Sequence, residues 1–220
     1  MYTDFVGRTE ELLAVERLLD ADAGNAVVSV VGEPGIGKTR FLAEVTRRAA
    51  GRGWRVVRMG VELPSTSVPS GSDTCLSSDR ALIVIDDAHL ADQRAVELLH
   101  RYTYEPLAGR TILVTAYRPR QVPGRLVAAL ASAAGVGPVH RIELRGLPLH
   151  QARELIGRHI PAAAISCIYE DSAGNPLYLS VLSEQYTCGH STREEAHLPG
   201  DGWAMLRVDV EALPAHRPPR

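Results

Sequence analysis

The sequence predicts an α/β protein: a parallel five-stranded sheet flanked by helices, followed by a small, partial helical subdomain. Three observations predict it. Five short apolar runs, at residues 26–31, 55–61, 81–85, 111–116 and 139–144, alternate with stretches of helical periodicity. Two of these runs are apolar almost throughout, AVVSVV with a single serine and ALIVI with no polar residue, which suits strands buried on both faces. Beyond Gly146 the strand pattern stops and only helical spacing remains.

Each element has a local reason. Thr9 followed by Glu10 and Glu11 marks a helix start, with acids in the positive first turn and Leu12, Val15 and Leu19 at helical spacing. Residues 20–25 read as a turn before the first strand. Glycines interrupt the chain over 32–37, and residues 38–50 resume a helix through Phe41, Leu42, Val45 and Ala49. The second strand, 55–61, precedes a Ser-, Pro-, Thr- and Gly-rich stretch, 62–79, that reads as loop. The third strand ends in Asp86 and Asp87. Asp92 is placed to cap a helix whose apolar face holds Val96, Leu98, Leu99 and Tyr102. A strand at 111–116, a helix at 126–134 and a strand at 139–144 complete the sheet region. Helices are expected at 148–160, with Ala152, Leu155 and Ile156 on one face, and at 176–186. Four prolines and scattered charges from residue 188 onward predict a flexible tail.

Composition narrows the function classes. The 220 residues include 24 basic and 26 acidic side chains, a formal net charge of −2, which argues against broad coating of nucleic acid. The six arginines from Arg40 to Arg58 read as a solvated face. With 45% hydrophobic and 23% charged residues the chain has a globular composition, and no uncharged apolar stretch approaches the ~20 residues of a membrane span. Residues 1–8 lack an apolar secretory core, so a cytoplasmic location is expected. Cys75, Cys167 and Cys188 are widely spaced without a CxxC pair, as for incidental thiols. All basic residues but one are arginine, and the single lysine is Lys38.

That lysine sits in the strongest motif. Gly32-Glu33-Pro34-Gly35-Ile36-Gly37-Lys38-Thr39 is a complete GxxxxGK[ST] phosphate loop, preceded by a buried strand and followed by a helix, and residues 32–39 with the adjoining Arg40 are the expected nucleotide-binding residues. Gly35 and Gly37 let the backbone curl so that N–H groups face phosphate oxygens. The helix adds its positive end. Lys38 supplies a mobile charge for the β- and γ-phosphates, and Thr39 a hydroxyl ligand for Mg²⁺. A P-loop NTPase core over 1–146 follows as the expected fold, with the helical subdomain at 147–187 and the tail at 188–220. ATP or ADP and Mg²⁺ are the expected ligands.

The strand 81–85 delivers Asp86 and Asp87 to the carboxyl edge of the sheet, where open α/β folds bind ligands. Asp86 is the expected Mg²⁺ residue, and Asp87 the group that orients or deprotonates the attacking water. Arg118, just past the strand 111–116, is placed to stabilise charge on the γ-phosphate. Two alternatives remain there: Arg118 as one more surface arginine among 23, and Thr115 as a rival for the sensing position.

These residues resemble a family. Phe5-Val6-Gly7-Arg8 before an acidic, Leu-rich helix is similar to the amino-terminal segment of AAA+ and STAND-type ATPases. The phosphate loop and Ile85-Asp86-Asp87-Ala88-His89-Leu90-Ala91-Asp92 match the Walker A and B regions of that group. Leu113-Val114-Thr115-Ala116-Tyr117-Arg118 looks like the STAND sensor segment, and Gly174-Asn175-Pro176-Leu177-Tyr178-Leu179 resembles its GxP motif. The likeness is to the ATPase modules of large LuxR-type (LAL) transcriptional regulators and to Orc-like AAA domains, over residues 4–186.

The resemblance implies that Val6 and Gly7 line the adenine pocket, that Arg8 sits near the nucleotide, and that Pro176 closes over the base. His89 matches the family pattern, with a packing role as the alternative. It further implies a slow ATPase acting as a nucleotide-controlled switch linked to transcriptional regulation, with a protein partner or self-association. The alternatives are a non-hydrolysing nucleotide-binding module or remnant, and an oligomeric AAA+ remodeller. Two departures stand out: residues 62–79 replace a longer segment with helical content, and 188–220 carry no recognisable DNA-reading helix. DNA binding by this chain alone is therefore not expected.

Overall fold

The structure is a computed structural model that describes residues 5–21, 24–59, 80–90, 109–133, 137–157 and 160–187. The predicted loop at 62–79, the helix capped by Asp92 and the tail from 188 lie outside the described residues. Helix α1 (Thr9–Asp20) leads into β1 (Ala26–Val31), α2 (Lys38–Gly51) and β2 (Arg55–Met59). Then come β3 (Arg80–Ile85), a 3-10 turn at Ala88–Leu90, β4 (Arg110–Tyr117), α3 (Gly124–Ala133) and β5 (Val139–Glu143). Three helices follow: α4 (Leu149–Ile156), α5 (Ala162–Ser172) and α6 (Pro176–Thr187).

The five strands form one parallel sheet in the order β2-β3-β4-β1-β5. Period-2 alternation sends successive residues to opposite faces. Val28 and Val30 of β1, Leu82 and Val84 of β3, and Ile112 and Val114 of β4 face α1 and α2, packing on Leu12, Val15, Phe41 and Leu42. Val27, Ile83, Ile85 and Leu113 face α3 through Leu126 and Ala129. The sheet is thus covered on both faces, which explains the continuous apolar runs.

Behind α1, Arg110 at the start of β4 donates to the carbonyls of Leu18, Leu19 and Gly24 and stacks 5.0 Å from the Trp54 ring centroid. A cation is thereby held at the negative end of α1. Helices α4, α5 and α6 share a separate cluster, Leu147, Ala152, Ile156, Ile160, Ile165, Ile168 and Leu179.

Two expectations are corrected. The helix expected over 148–160 stops at Ile156, because Gly157 takes φ 94° and breaks the turn. A helix not expected at all, α5, begins after Pro161 on an Ala-rich run. Among the described residues no helix is long and apolar enough to cross a membrane.

Candidate functional site

Strand register assembles the site. Val31 of β1 is level with Tyr117 of β4, and Ile85 of β3 with Thr115 of the same strand. The next residues, Gly32, Arg118 and Asp86, therefore leave three neighbouring strands at one carboxyl edge, and adjacent strands lie only ~4.8 Å apart. Positions 32, 86 and 118 are distant in sequence and meet because β4 lies between β1 and β3.

The phosphate loop is held from outside. Each carbonyl from Gly32 to Gly37 accepts a hydrogen bond. Lys38 Nζ donates to Gly32 O at 2.9 Å and to Glu33 O at 3.0 Å. Asn175 Nδ2 donates to Pro34 O at 2.9 Å, the Leu177 amide to Gly35 O at 3.3 Å, and Arg8 Nη2 to Ile36 O at 3.1 Å. The Phe41 amide takes Gly37 O at 2.9 Å. With its carbonyls engaged, the loop is fixed in a curl whose Gly35 (φ 73°) and Gly37 (φ 98°) occupy the left-handed region. The first N–H groups of α2 have no intrahelical acceptor and are the natural donors to an anion.

Lys38 is buried, and burial first, then the Arg118 cation, holds its ammonium below the usual lysine range; Asp87, Asp86 and Glu33 oppose this. The same groups reach His89. Burial lowers the imidazole, Asp87 raises it, and Arg118 and Lys38 lower it further. Lys38, Asp86, Asp87, His89 and Arg118 thus share one electrostatic site.

The backbone turns sharply at Asp87, whose φ of 47° is unusual for a residue with a side chain, and the Asp87 amide donates to Asp86 Oδ1 at 2.9 Å. Only two other non-glycine residues among those described have positive φ: Arg8 at the start of α1 and Ala173 before Gly174. Such strain, of order 1–2 kcal/mol each, gathers at functional junctions.

On the other side of the loop, Val6, Arg8, Ile36, Arg40, Leu147, Leu155 and Pro176 line a small open pocket of about 40 Å³. Gly7, between Val6 and Arg8, packs against α4: a Cβ there would clash with Gln151 Oε1. A larger cleft of about 390 Å³ lies beside Glu33 and Pro34, bounded by Pro119, Asn175 and Tyr178.

The metal expectation has a defined donor set. Among the described residues no cluster of three or more His, Cys, Asp or Glu could hold an ion. One carboxylate (Asp86) and one hydroxyl (Thr39, exposed at the start of α2) remain. This fits Mg²⁺, which keeps its waters and takes ligands from phosphate, and does not fit a protein-caged ion.

Of the residues singled out from sequence, 32–38, Asp86, Asp87 and Arg118 meet at the sheet edge, and Val6, Arg8, Arg40 and Pro176 meet at the small pocket. Thr115 is fully buried one layer below the edge, level with Ser29. Sequence reasoning assigned no role to Asn175, Leu177 or Gln151. Asn175 sits before a helix-initiating proline, a position that signals a cap but not a bond 141 residues away.

Fold and site geometry together define an α/β P-loop NTPase fold. Residues 4–76 of the 220 match the family model described as the AAA ATPase domain. Among curated proteins none matches. The chain is similar in structure to the RuvB Holliday junction branch migration motor of Thermotoga maritima, at 18% identity and a TM-score of 0.53, over 82% of this chain and 62% of that one. It is also similar to AMPPCP-bound DnaA from Aquifex aeolicus, at 19% identity and a TM-score of 0.57, over 80% and 61%. A DNA replication initiation factor gives 18% identity and a TM-score of 0.58, over 84% and 61%. The chain spans less than two thirds of the length of these three structures, and at such identities the likeness is one of fold.

Proposed function

We propose that the chain is an ATP-binding, Mg²⁺-dependent ATPase module of low turnover, working as a nucleotide-controlled switch of STAND type. The observation that carries this reading is the shared sheet edge, where the phosphate loop, Asp86–Asp87 and Arg118 converge while α6 is bonded to the loop itself. In it, Lys38 exchanges its two carbonyl acceptors for β- and γ-phosphate oxygens. Thr39 and Asp86 hold Mg²⁺, which when bound supplies charge neutralisation between the phosphates. Asp87 takes the proton of a water whose oxygen attacks the γ-phosphorus. The bond from that phosphorus to the bridging oxygen breaks, ADP leaves with the electron pair, and Arg118 offsets charge on the transferred group. Val6, Gly7, Arg8 and Pro176 form the base site.

Because Asn175, just before α6, and Leu177 in its first turn bond to Pro34 and Gly35, nucleotide occupancy and the position of the helical unit are linked, which supports a switch with a protein partner. The test is to identify and quantify nucleotide in the purified protein and then follow phosphate release with Mg²⁺. Bound ATP or ADP with slow, Asp87-dependent release supports the reading; nucleotide binding without release leaves a non-hydrolysing module.

An oligomeric AAA+ machine is the second reading, favoured by the fold shared with a branch migration motor. Light scattering in ATP separates the two: a monomer counts against the machine, a closed ring against the switch acting alone.

A further inference from the structure

The His89 side chain is 2% exposed, yet among the described residues neither ring nitrogen has a hydrogen-bond partner. A buried nitrogen left unpaired costs ~1–3 kcal/mol. It is not sequestered in the apolar core: Nδ1 lies 3.9 Å from Asp87 Oδ1, and the groups acting on the ring are Asp87, Arg118, Lys38 and Asp86. Asp87 in turn sits on a positive-φ turn, and its carbonyl accepts the Leu90 amide at 2.8 Å. That bond closes the 3-10 turn and carries His89 back over the Asp87 side chain. The gap of 3.9 Å is too long for a hydrogen bond and short enough to close by a side-chain rotation.

We propose that His89 is a positioning residue for Asp87: its Nδ1–H donates to the Asp87 carboxylate in the nucleotide-loaded site and fixes the oxygen that receives the proton of the attacking water. This rests on the hydrolytic reading of the site. The role needs a proton on Nδ1, which the Nδ1–H tautomer and the imidazolium both carry; burial first, opposed by Asp87 and aided by the Arg118 and Lys38 cations, lowers the imidazole. His89 touches neither phosphate nor metal in this account, so its loss leaves nucleotide affinity intact and lowers the chemical step.

Single-turnover phosphate release and ATP affinity are compared for the wild type, three His89 variants, Asp87→Asn and one double variant, each checked for an unchanged melting temperature. An Asn amide nitrogen occupies nearly the position of Nδ1, whereas a Gln amide reaches that of Nε2. His89→Leu and His89→Gln are expected to slow release about 10- to 100-fold, with ATP affinity within about 2-fold of wild type. His89→Asn is expected to retain release within about 3-fold. In an Asp87→Asn background, His89→Leu is expected to add nothing, because the two residues act as a unit.

Equal rates in all variants overturn the proposal. So does a His89→Asn variant as slow as His89→Leu, or a loss that adds to that of Asp87→Asn, since either marks a packing role. A wild type that binds ATP and releases no phosphate overturns the hydrolytic reading and this role with it. That outcome is distinct from a working ATPase indifferent to residue 89.

Discussion

Asn175 Nδ2 donates to the Pro34 carbonyl at 2.9 Å, joining residues 141 apart in sequence, while Asn175 Oδ1 accepts the Leu177 amide at 3.0 Å. One side chain thus caps α6 and grips the phosphate loop. Replacing it by Ala removes both contacts and leaves the loop less well ordered before nucleotide arrives. Asn175→Ala is expected to weaken ATP binding about 3- to 10-fold, the equivalent of one hydrogen bond, in a calorimetric titration. Asn175→Asp keeps the acceptor, loses the donor and places a negative charge near the phosphates, so its loss should be larger. Unchanged affinity in both variants would separate the helical unit from the site.

Gly35 tests the same junction from the loop side. Its φ is 73°, and a Cβ would lie 2.8 Å from Leu177 Cβ and 2.9 Å from Leu177 Cδ2. Gly35→Ala meets strained backbone and forces α6 outward. A loss of about 1–3 kcal/mol in urea unfolding is expected, with nucleotide affinity falling more steeply than in Asn175→Ala.

The α1–α2 surface carries the acid dependence of stability. Arg48 bridges Glu16 and Glu44, Arg52 bridges Glu16 and Asp20, and Arg47 forks onto Glu44 with bonds of 2.6 and 2.8 Å. The hydrogen bond from Arg47 is the largest cause that pushes the Glu44 carboxyl down to about 2; burial, the next largest, opposes it, and the Arg48 hydrogen bond and the charges of both arginines add to the lowering. A carboxylate depressed on folding stabilises the fold above its ordinary value of 4.5 and loses that contribution as pH falls towards about 2. Glu44→Gln should therefore lower the melting temperature by about 2 °C at neutral pH. The difference should vanish near pH 2. A constant gap across that range would mean that packing, not charge, accounts for Glu44.

The sheet was legible because its strands are buried on both faces: β1 was placed residue for residue, and the other strands to within about two residues at the ends described. The phosphate loop was legible because its chemistry demands fixed residue types. Helix α5 was missed although Pro161 and the following alanines are ordinary start signals; its apolar residues Ile165 and Ile168 make too short a stripe to stand out. The Asn175 bond was not legible, because it depends on how the head of α6 meets a loop distant in sequence, whereas the burial of His89 agrees with the packing role left open for it. Register explains the convergence of 32, 86 and 118, and periodicity alone contains no register between strands.

Every role proposed for the sheet edge depends on nucleotide binding at the curled loop around Lys38. The most direct measurement is a calorimetric titration of Mg·ATP into wild type and Lys38→Ala side by side, with matched melting temperatures. Saturable 1:1 binding to wild type, weakened at least ~10-fold in the variant, is the predicted result. No binding to wild type, or equal binding to both, would contradict the account.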